Sequence, residues 1–179
     1  MAQLAGTLGH EIEVGLQMAE KDIVTYPDPI LRQQAKAISK LDVGTKQLIQ
    51  DMVATMRREN GLGLAANQVG SLQKVFVYDD GTGLGILINP KIVSASGEQL
   101  GVEGCLSVPG LQGEVKRADV IEIRGHDLSG KPVKIKAEGM LARIFQHELD
   151  HLNGKLFIDR ADPGSLHYVT AEEEEEEEG

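Results

Sequence analysis

The segment Gln146-His147-Glu148-Leu149-Asp150-His151 constrains this chain more than any other stretch of its sequence. It has the pattern His-Glu-x-x-His, and on a helix positions i and i+4 lie on the same face. His147 and His151 are therefore placed to bind one metal ion between them. Glu148 is next to the first histidine, where it can reach a water on that metal and act as a general base.

The apolar residues around this segment predict that both histidines face the protein interior. A helix is predicted over residues 138–152, ending at Asn153-Gly154. One stripe at helical spacing contains Met140, Ile144, His147 and His151, and the next contains Leu141, Phe145, Glu148, Leu149 and Leu152. The predicted polar side consists of Arg143, Gln146, Asp150 and Asn153. Buried imidazoles and a buried carboxylate need partners, and a metal ion with its water would pair with all three.

Length and composition indicate one globular domain with an aliphatic core. The chain has 179 residues, 41% of them hydrophobic, with no Trp, three Phe and three Tyr. The formal net charge of −10 falls to −3 without the seven glutamates from Glu172 to Glu178. Such a run repels itself, so a disordered, solvated tail is expected. No basic stripe with interleaved aromatic residues is present, so no direct sequence-specific contact with nucleic acid is expected.

Cysteine usage and hydropathy predict a cytoplasmic protein. Cys105 is the single cysteine, so no disulfide can form within the chain. The N-terminus lacks a cationic region followed by an apolar one, as a secretory signal would have. No apolar run approaches the roughly 20 residues of a membrane span, so no membrane association is expected.

The chain divides into three predicted parts. Residues 1–22 form an N-terminal extension, in which Leu4, Leu8, Ile12 and Leu16 predict a weak helix. Residues 23–165 form the catalytic domain, and residues 166–179 form the disordered acidic tail. Within the domain, Asp28 and Pro29 predict the start of a short helix. A longer helix is predicted over residues 45–59, and strands over 74–79, 86–88, 91–95, 120–124 and 132–136. The short links between strands favour antiparallel pairs.

A catalytic site of this kind takes three protein ligands and leaves one position for water, so a third ligand is required. Downstream, a metzincin protease would carry a third histidine where this chain has Phe157. Phe cannot bind a metal, although Asp159, Asp162 and His167 remain available further on. Upstream, Cys105 in Glu103-Gly104-Cys105-Leu106-Ser107 is the best candidate, because Cys with two His is a known catalytic ligand set.

Three motifs, in this order, make the chain resemble the peptide deformylase family. They are Gly61-Leu62-Gly63-Leu64-Ala65-Ala66-Asn67-Gln68, Glu103-Gly104-Cys105-Leu106-Ser107 and Gln146-His147-Glu148-Leu149-Asp150-His151. The resemblance spans about residues 23–159. It implies an α+β fold, with antiparallel β-sheets wrapped around a central metal-binding helix. It also implies an enzyme that removes the N-formyl group from the formylmethionine terminus of newly made polypeptides and releases formate.

The resemblance assigns roles to individual residues. Cys105, His147 and His151 match the ligands of one divalent metal ion, natively Fe(II), with Zn, Ni or Co able to replace it. Glu148 matches the general base. The side-chain amide of Gln68 and the backbone N–H of Leu106 match the groups that stabilise the oxyanion, although Gln68 could instead tether its loop.

Further residues are substrate-binding candidates. An apolar pocket for methionine is expected from Leu62, Gly63, Met140, Ile144 and His147, and an extended peptide is expected to add as a strand beside residues 61–63 and 104–106. Arg117 is a candidate contact for the peptide backbone, with a surface salt bridge as the alternative. Glu103 is a candidate partner for a ligand imidazole.

The expected partner is an N-formylmethionyl nascent peptide, and a monomer is expected. Some family members dock on the ribosome through a basic C-terminal helix, which this chain lacks. The acidic tail would be repelled by ribosomal RNA, which makes docking by that route doubtful. Two other hypotheses remain open at this stage: a His-Glu-x-x-His endopeptidase, and a metal-binding sensor whose thiolate reports oxidation.

Overall fold

A computed structural model of the protein describes residues 18–177. Its helices are α1 (Val43–Arg58), α2 (Gly139–Leu152) and α3 (Ala171–Glu177). Short 3-10 helices cover Pro29–Arg32, Ala66–Val69, Phe157–Asp159 and Pro163–Ser165. The strands are β1 (Gly63–Ala65), β2 (Val75–Asp79), β3 (Leu84–Ser96), β4 (Gln99–Cys105), β5 (Val108–Arg117), β6 (Val120–His126), β7 (Pro132–Glu138) and β8 (His167–Tyr168).

Two antiparallel sheets surround helix α2. The larger sheet has the strand order β1-β2-β3-β6-β7, and the smaller has the order β4-β5-β8. Helix α2 contacts strands of both sheets, while α1 packs against β1 and β2. The predicted α+β fold, with sheets wrapped around a central helix, is confirmed. Among the described residues, no helix is long and apolar enough to cross a membrane.

Local signals explain where the helices begin and end. The Asp42 side chain accepts a 2.8 Å hydrogen bond from the Thr45 N–H and caps the start of α1. After α2 the chain turns at Gly154, whose φ is +74°. A Cβ there would lie 2.5 Å from the carbonyl oxygen of Arg32, so glycine is required sterically as well as conformationally.

Helix α2 is buried on more sides than its sequence suggests. Arg143 and Asp150, predicted to lie on a polar outer side, are only 5% and 6% exposed. That prediction was wrong because charged partners from β4, β5 and the segment after α2 cover this side of the helix. Met140, predicted to lie on the buried stripe, is 60% exposed at the start of the helix.

The strands also differ from the prediction. The two short strands expected around Asn89-Pro90 are one strand, β3, with an irregularity in register between Ile88 and Lys91. Strands β4 and β5 were not predicted, and β4 ends at Cys105. Glycines such as Gly101 and Gly113 interrupt the alternation that would have indicated strands.

On both sides of the predicted boundaries at residues 23 and 165, described residues contact the domain. The N–H groups of Ala19 and Lys21 donate to Asp51 and Thr55 of α1, so contacts with the domain begin before residue 23. The helix expected for residues 1–20 lies outside the described residues except for 18–20, which are not helical. At the other end, β8 pairs with β5. The tail predicted to be disordered contains helix α3, where Thr170 and Glu173 form reciprocal hydrogen bonds at its start.

Candidate active site

The structure brings Cys105, His147 and His151 together at the centre of the molecule. Cys105 is the last residue of β4, and the two histidines are one turn apart on α2. The Cys105 Sγ lies 3.3 Å from His151 Nε2, which lies 3.3 Å from His147 Nε2. All three ligand atoms lie within 4.8 Å of one another, a spacing that fits one shared metal ion.

Glu148 carries a buried atom that suits a metal site. Its side chain is 4% exposed, and its Oε2 has no hydrogen-bond partner among the described residues. An unpaired buried carboxylate oxygen is costly, so its place beside three ligands points to a metal and its water as the missing partner. Burial raises the pKa of Glu148 to about 7, a value suited to accepting and returning a proton near neutral pH.

Glu103 contacts the ring nitrogen of His147 that faces away from the other ligands. Its Oε1 lies 2.7 Å from His147 Nδ1, which directs Nε2 toward the other ligands. The same carboxylate accepts hydrogen bonds from Arg117 at 2.9 and 2.8 Å and from Arg143 at 2.5 Å. Burial opposes ionisation of this carboxylate, but the hydrogen bonds from Arg117 and His147 hold its pKa well below the ordinary value. Glu103 is therefore an ionised acceptor that fixes the orientation of the His147 ring.

Gln68 is buried and directs its amide nitrogen toward the ligands. Its Oε1 accepts a 2.9 Å hydrogen bond from the Ala65 N–H. Its Nε2 donates to Ser107 Oγ at 3.1 Å and lies 3.7 Å from Cys105 Sγ. The side chain thus tethers its own loop through oxygen and presents N–H groups to the site through nitrogen. The two roles considered for Gln68 are compatible.

A cavity of about 740 Å³ opens from the ligands to the surface. The predicted substrate-binding residues that line it are Leu62, Gly63, Gly104, Met140 and Ile144, and the lining also includes Gln68, Leu106 and Glu148. Leu62, Val102 and Met140 are 50%, 55% and 60% exposed and form an apolar rim at its mouth. The volume and lining suit an apolar side chain that enters beside polar reacting groups.

Arg117 is not part of this cavity, and its predicted contact with the peptide backbone is wrong. Its side chain is 3% exposed and lies between Glu103 and Asp150, with distances of 2.8 and 2.6 Å. The alternative of a surface salt bridge is wrong as well, because both acidic partners are buried. Asp150 in turn binds the half-exposed Arg160 at 2.6 Å. Arg117 therefore stabilises the carboxylate behind His147.

Two residues of this site were missed at the level of sequence. Ser107 is fully buried, and its hydroxyl oxygen accepts a hydrogen bond from the side-chain amide of Gln68. Arg143 contacts Glu103 from one turn before His147. The spacing of four between Arg143 and His147 was a usable signal, because such residues share a helix face. It was overlooked because arginine at a helix surface usually faces solvent.

Comparisons with known proteins agree with this geometry. Residues 20–166 match the family model described as polypeptide deformylase. The chain is 49% identical over 145 residues to peptide deformylase of Carboxydothermus hydrogenoformans, covering 81% of this chain and 95% of the relative.

Solved structures give the same result. A peptide deformylase from Thermotoga maritima aligns with a TM-score of 0.78 and 42% identity, over 83% of this chain and all of the other. One from Legionella pneumophila aligns with a TM-score of 0.78 and 43% identity, over 81% and 88%. The chain belongs to the peptide deformylase family, metal-dependent hydrolases that remove the N-formyl group from newly made polypeptides.

Proposed function

We propose that this chain deformylates peptides at the described cavity, with Cys105, His147 and His151 holding one divalent metal ion and Glu148 as general base. The observation that carries the proposal is the convergence of three ligand atoms within 4.8 Å beside a buried carboxylate oxygen that has no partner in the described part of the chain. When bound, the metal supplies Lewis-acid chemistry and lowers the pKa of a water molecule.

Fe(II) is the metal we propose for the native enzyme, and Zn, Ni or Co would also fit. One thiolate with two imidazoles suits several divalent transition metals, so the donor set supports the class of metal rather than a single element. A thiolate ligand that solvent can reach is open to oxidation, and the partly buried Cys105 lines the open cavity. We therefore expect the iron form to lose activity in air.

Glu148 is proposed to move the proton in the reaction. Its carboxylate accepts a proton from the attacking water and returns it to the amine that leaves as formate is released. A pKa of about 7 allows both transfers near neutral pH. The position of Glu148 beside Gly63, on the cavity wall, supports this role because the formyl group would enter there.

Gln68 and Leu106 are proposed to stabilise the oxyanion that develops on the formyl group. The Gln68 amide already lies 3.7 Å from the Cys105 sulfur, and Leu106 directly follows that cysteine along the cavity wall. An N–H donor placed in this way contributes roughly 3 kcal/mol to lowering the barrier.

The peptide is proposed to bind as an added strand, with methionine in the apolar part of the cavity near Leu62, Gly63, Met140 and Ile144. Strand β4 pairs only with β5 among the described strands, so its other edge is free to receive main-chain hydrogen bonds. Gly104 lies on this strand, next to Cys105, and lines the cavity.

The proposed setting is the cytoplasm, where a monomer acts on nascent N-formylmethionyl peptides. Any contact with the ribosome would use a surface other than the glutamate run. Phosphates repel carboxylates, and Glu172 to Glu178 carry seven of them.

The decisive experiment measures formate released from a formyl-Met peptide by anaerobically prepared, Fe(II)-loaded protein. Glu148→Gln should lower kcat by about 100- to 10,000-fold, the range expected when a general base is lost. The variant should still bind one metal ion, since all three ligands remain. Cys105→Ala should lose both metal and activity. Metal-loaded wild type that cleaves casein but releases no formate would instead indicate an endopeptidase, and metal binding with neither activity would indicate a sensor.

A further inference from the structure

Glu103 is held by two residues of the same helix. His147 Nδ1 lies 2.7 Å from its Oε1, and Arg143 Nη1 donates to its Oε2 at 2.5 Å. Arg143 and His147 are one turn apart on α2, so their side chains reach the two oxygens of one carboxylate together. Glu103 precedes Cys105 by two residues on β4. The strand that carries the cysteine is thereby fixed to the helix that carries both histidines.

Arg143 also crosses to the backbone of the smaller sheet. Its Nη1 donates to the Val115 carbonyl oxygen at 3.0 Å, and its Nη2 lies 3.5 Å from the Gln99 carbonyl oxygen. These carbonyls belong to β5 and β4, so one guanidinium joins both strands to α2. Only 7% of the side chain is exposed, so these hydrogen bonds have little competition from water.

Gly101 provides the space for this guanidinium. A Cβ at residue 101 would lie 2.9 Å from Arg143 Nη2, 3.0 Å from Cζ and 3.1 Å from Nε. Three nearly equal distances place the position above the flat face of the guanidinium. Glycine lets the group lie against the backbone of β4 at a separation that any side chain would prevent.

We infer that Arg143 is a positioning residue that sets where Cys105 lies relative to His147 and His151, and that Gly101 makes this arrangement possible. The inference rests on the proposed metal site. Arg143 holds β4 through Glu103 and the Gln99 carbonyl, and it holds the neighbouring strand β5 through the Val115 carbonyl. It also helps keep Glu103 against His147. Without Arg143 the carboxylate retains Arg117 and His147 as partners, so the charge stays paired while the strand is less firmly held.

The test compares Arg143→Met with Arg143→Lys in cobalt(II)-loaded protein. Transfer of cobalt to excess dipicolinate should be about 10- to 100-fold faster in Arg143→Met, the range typical for loss of a group that orients a ligand. The cobalt absorption bands that report thiolate coordination should shift in the same variant. Arg143→Lys keeps one charged contact and should recover part of both changes.

Arg32→Met is the matched control. Arg32 makes a two-point contact with Asp159 at 2.5 and 3.1 Å but does not touch Glu103 or any ligand. This control should release cobalt at the wild-type rate. Thermal unfolding of each variant reports separately whether the fold has been lost.

Gly101→Ala tests the same inference without changing any charge. It should speed cobalt release when Arg143 is present and have a much smaller effect in the Arg143→Met background, because the obstructed group is then absent. Unchanged release and spectra in both Arg143→Met and Gly101→Ala would overturn the inference. If Arg143→Met does not fold, the Gly101→Ala result alone decides. Wild type that fails to bind cobalt would contradict the proposed metal site itself, which is a different outcome.

Discussion

At the scale of single residues, Gly63 and Glu148 leave no spare room between them. A Cβ at residue 63 would lie 2.6 Å from Glu148 Oε1 and 2.9 Å from its Cδ. The end of a glutamate side chain can move without disturbing the core, so the fold should tolerate a methyl group here. The carboxylate, however, would be displaced from the position where it must exchange a proton.

Gly63→Ala should therefore lower kcat for formate release by about 10- to 100-fold with little loss of stability. The expected cause is misplacement of Glu148 rather than loss of metal, so metal content should remain at one ion per chain. Gly44→Ala is the matched control, because a Cβ there would lie 3.5 Å from the Asp42 carboxylate, which is an ordinary contact distance. Equal activity of the two variants would show that Glu148 tolerates the contact.

Tyr78 gives a prediction for alkaline pH. Its ring packs edge-on against Phe145, with centroids 4.7 Å apart, and burial together with the charge of Asp80 raises its pKa to about 12. The pKa of the unfolded chain is close to the ordinary 10.0, which is lower than in the folded state. The protonated Tyr78 side chain therefore contributes fully to the free energy of unfolding below pH 10. This contribution is lost as pH rises toward 12.

Tyr78→Phe should remove this dependence. Between pH 10 and 12 the free energy of unfolding of wild type should fall by roughly 2–3 kcal/mol more than that of the variant. Denaturant titrations at several pH values measure the difference. Tyr168→Phe, which changes a side chain that is 75% exposed, should follow wild type. Parallel curves for wild type and Tyr78→Phe would contradict the prediction.

At the scale of elements, the helices were easier to predict than the smaller sheet. Helix α2 was expected over residues 138–152 and spans Gly139–Leu152, because long apolar periodicity and a terminal Asn-Gly are both local signals. The identity of Cys105 as a ligand candidate also followed from chemistry. Strands β4 and β5 were missed because they are stabilised by pairing across the sheet, and their glycines weaken the local pattern.

The buried charged residues around the proposed ligands could not be predicted either, because they too depend on contacts between distant parts of the chain. Arg117 and Arg143 look like surface residues until the fold places Glu103 between them. A buried charge is recognisable only through its partner, and these partners lie 14 and 40 positions away. The sequence thus indicated the groups proposed to bind metal and substrate, but not the buried arginines that hold Glu103 in place.

Asn89 offers a test of the irregularity in β3. Its φ is +51°, its Oδ1 accepts from the Ile38 N–H at 2.8 Å and its Nδ2 donates to the Ile38 carbonyl at 2.8 Å. Asn89→Gly keeps the favourable backbone but loses both hydrogen bonds, at a cost of roughly 1–3 kcal/mol. Asn89→Ala should cost about 1 kcal/mol more because alanine disfavours this conformation. Unfolding free energies measure both; equal values would show that the backbone conformation is not strained.

At the scale of the whole molecule, the proposed metal ligands come from distant parts of the chain. Cys105 and His151 are 46 positions apart in sequence and belong to different elements. An ion bound by both closes a long loop in any state that retains it. In the chain-entropy treatment of cross-links, closing a loop of this length disfavours the unfolded ensemble by about 4 kcal/mol.

Metal removal should consequently lower the unfolding temperature by roughly 8 to 16 °C, taking the usual scaling for a chain of this size. Thermal unfolding of metal-loaded and chelator-treated protein measures the shift. Cys105→Ser breaks the connection to β4 and should show a smaller shift on metal addition. A wild-type unfolding temperature that is independent of metal would contradict this expectation.

Because the chain has a single cysteine, the proposed metal cross-link takes a place that a disulfide could not fill. A chain with one thiol cannot form an internal disulfide, yet it can obtain a comparable covalent restraint by sharing that thiol with two imidazoles through an ion. The restraint is reversible and responds to the supply of metal and to the redox state of one sulfur atom. Oxidation of Cys105 would therefore remove the proposed cross-link together with one proposed metal ligand, at the end of strand β4, the strand proposed to receive the peptide.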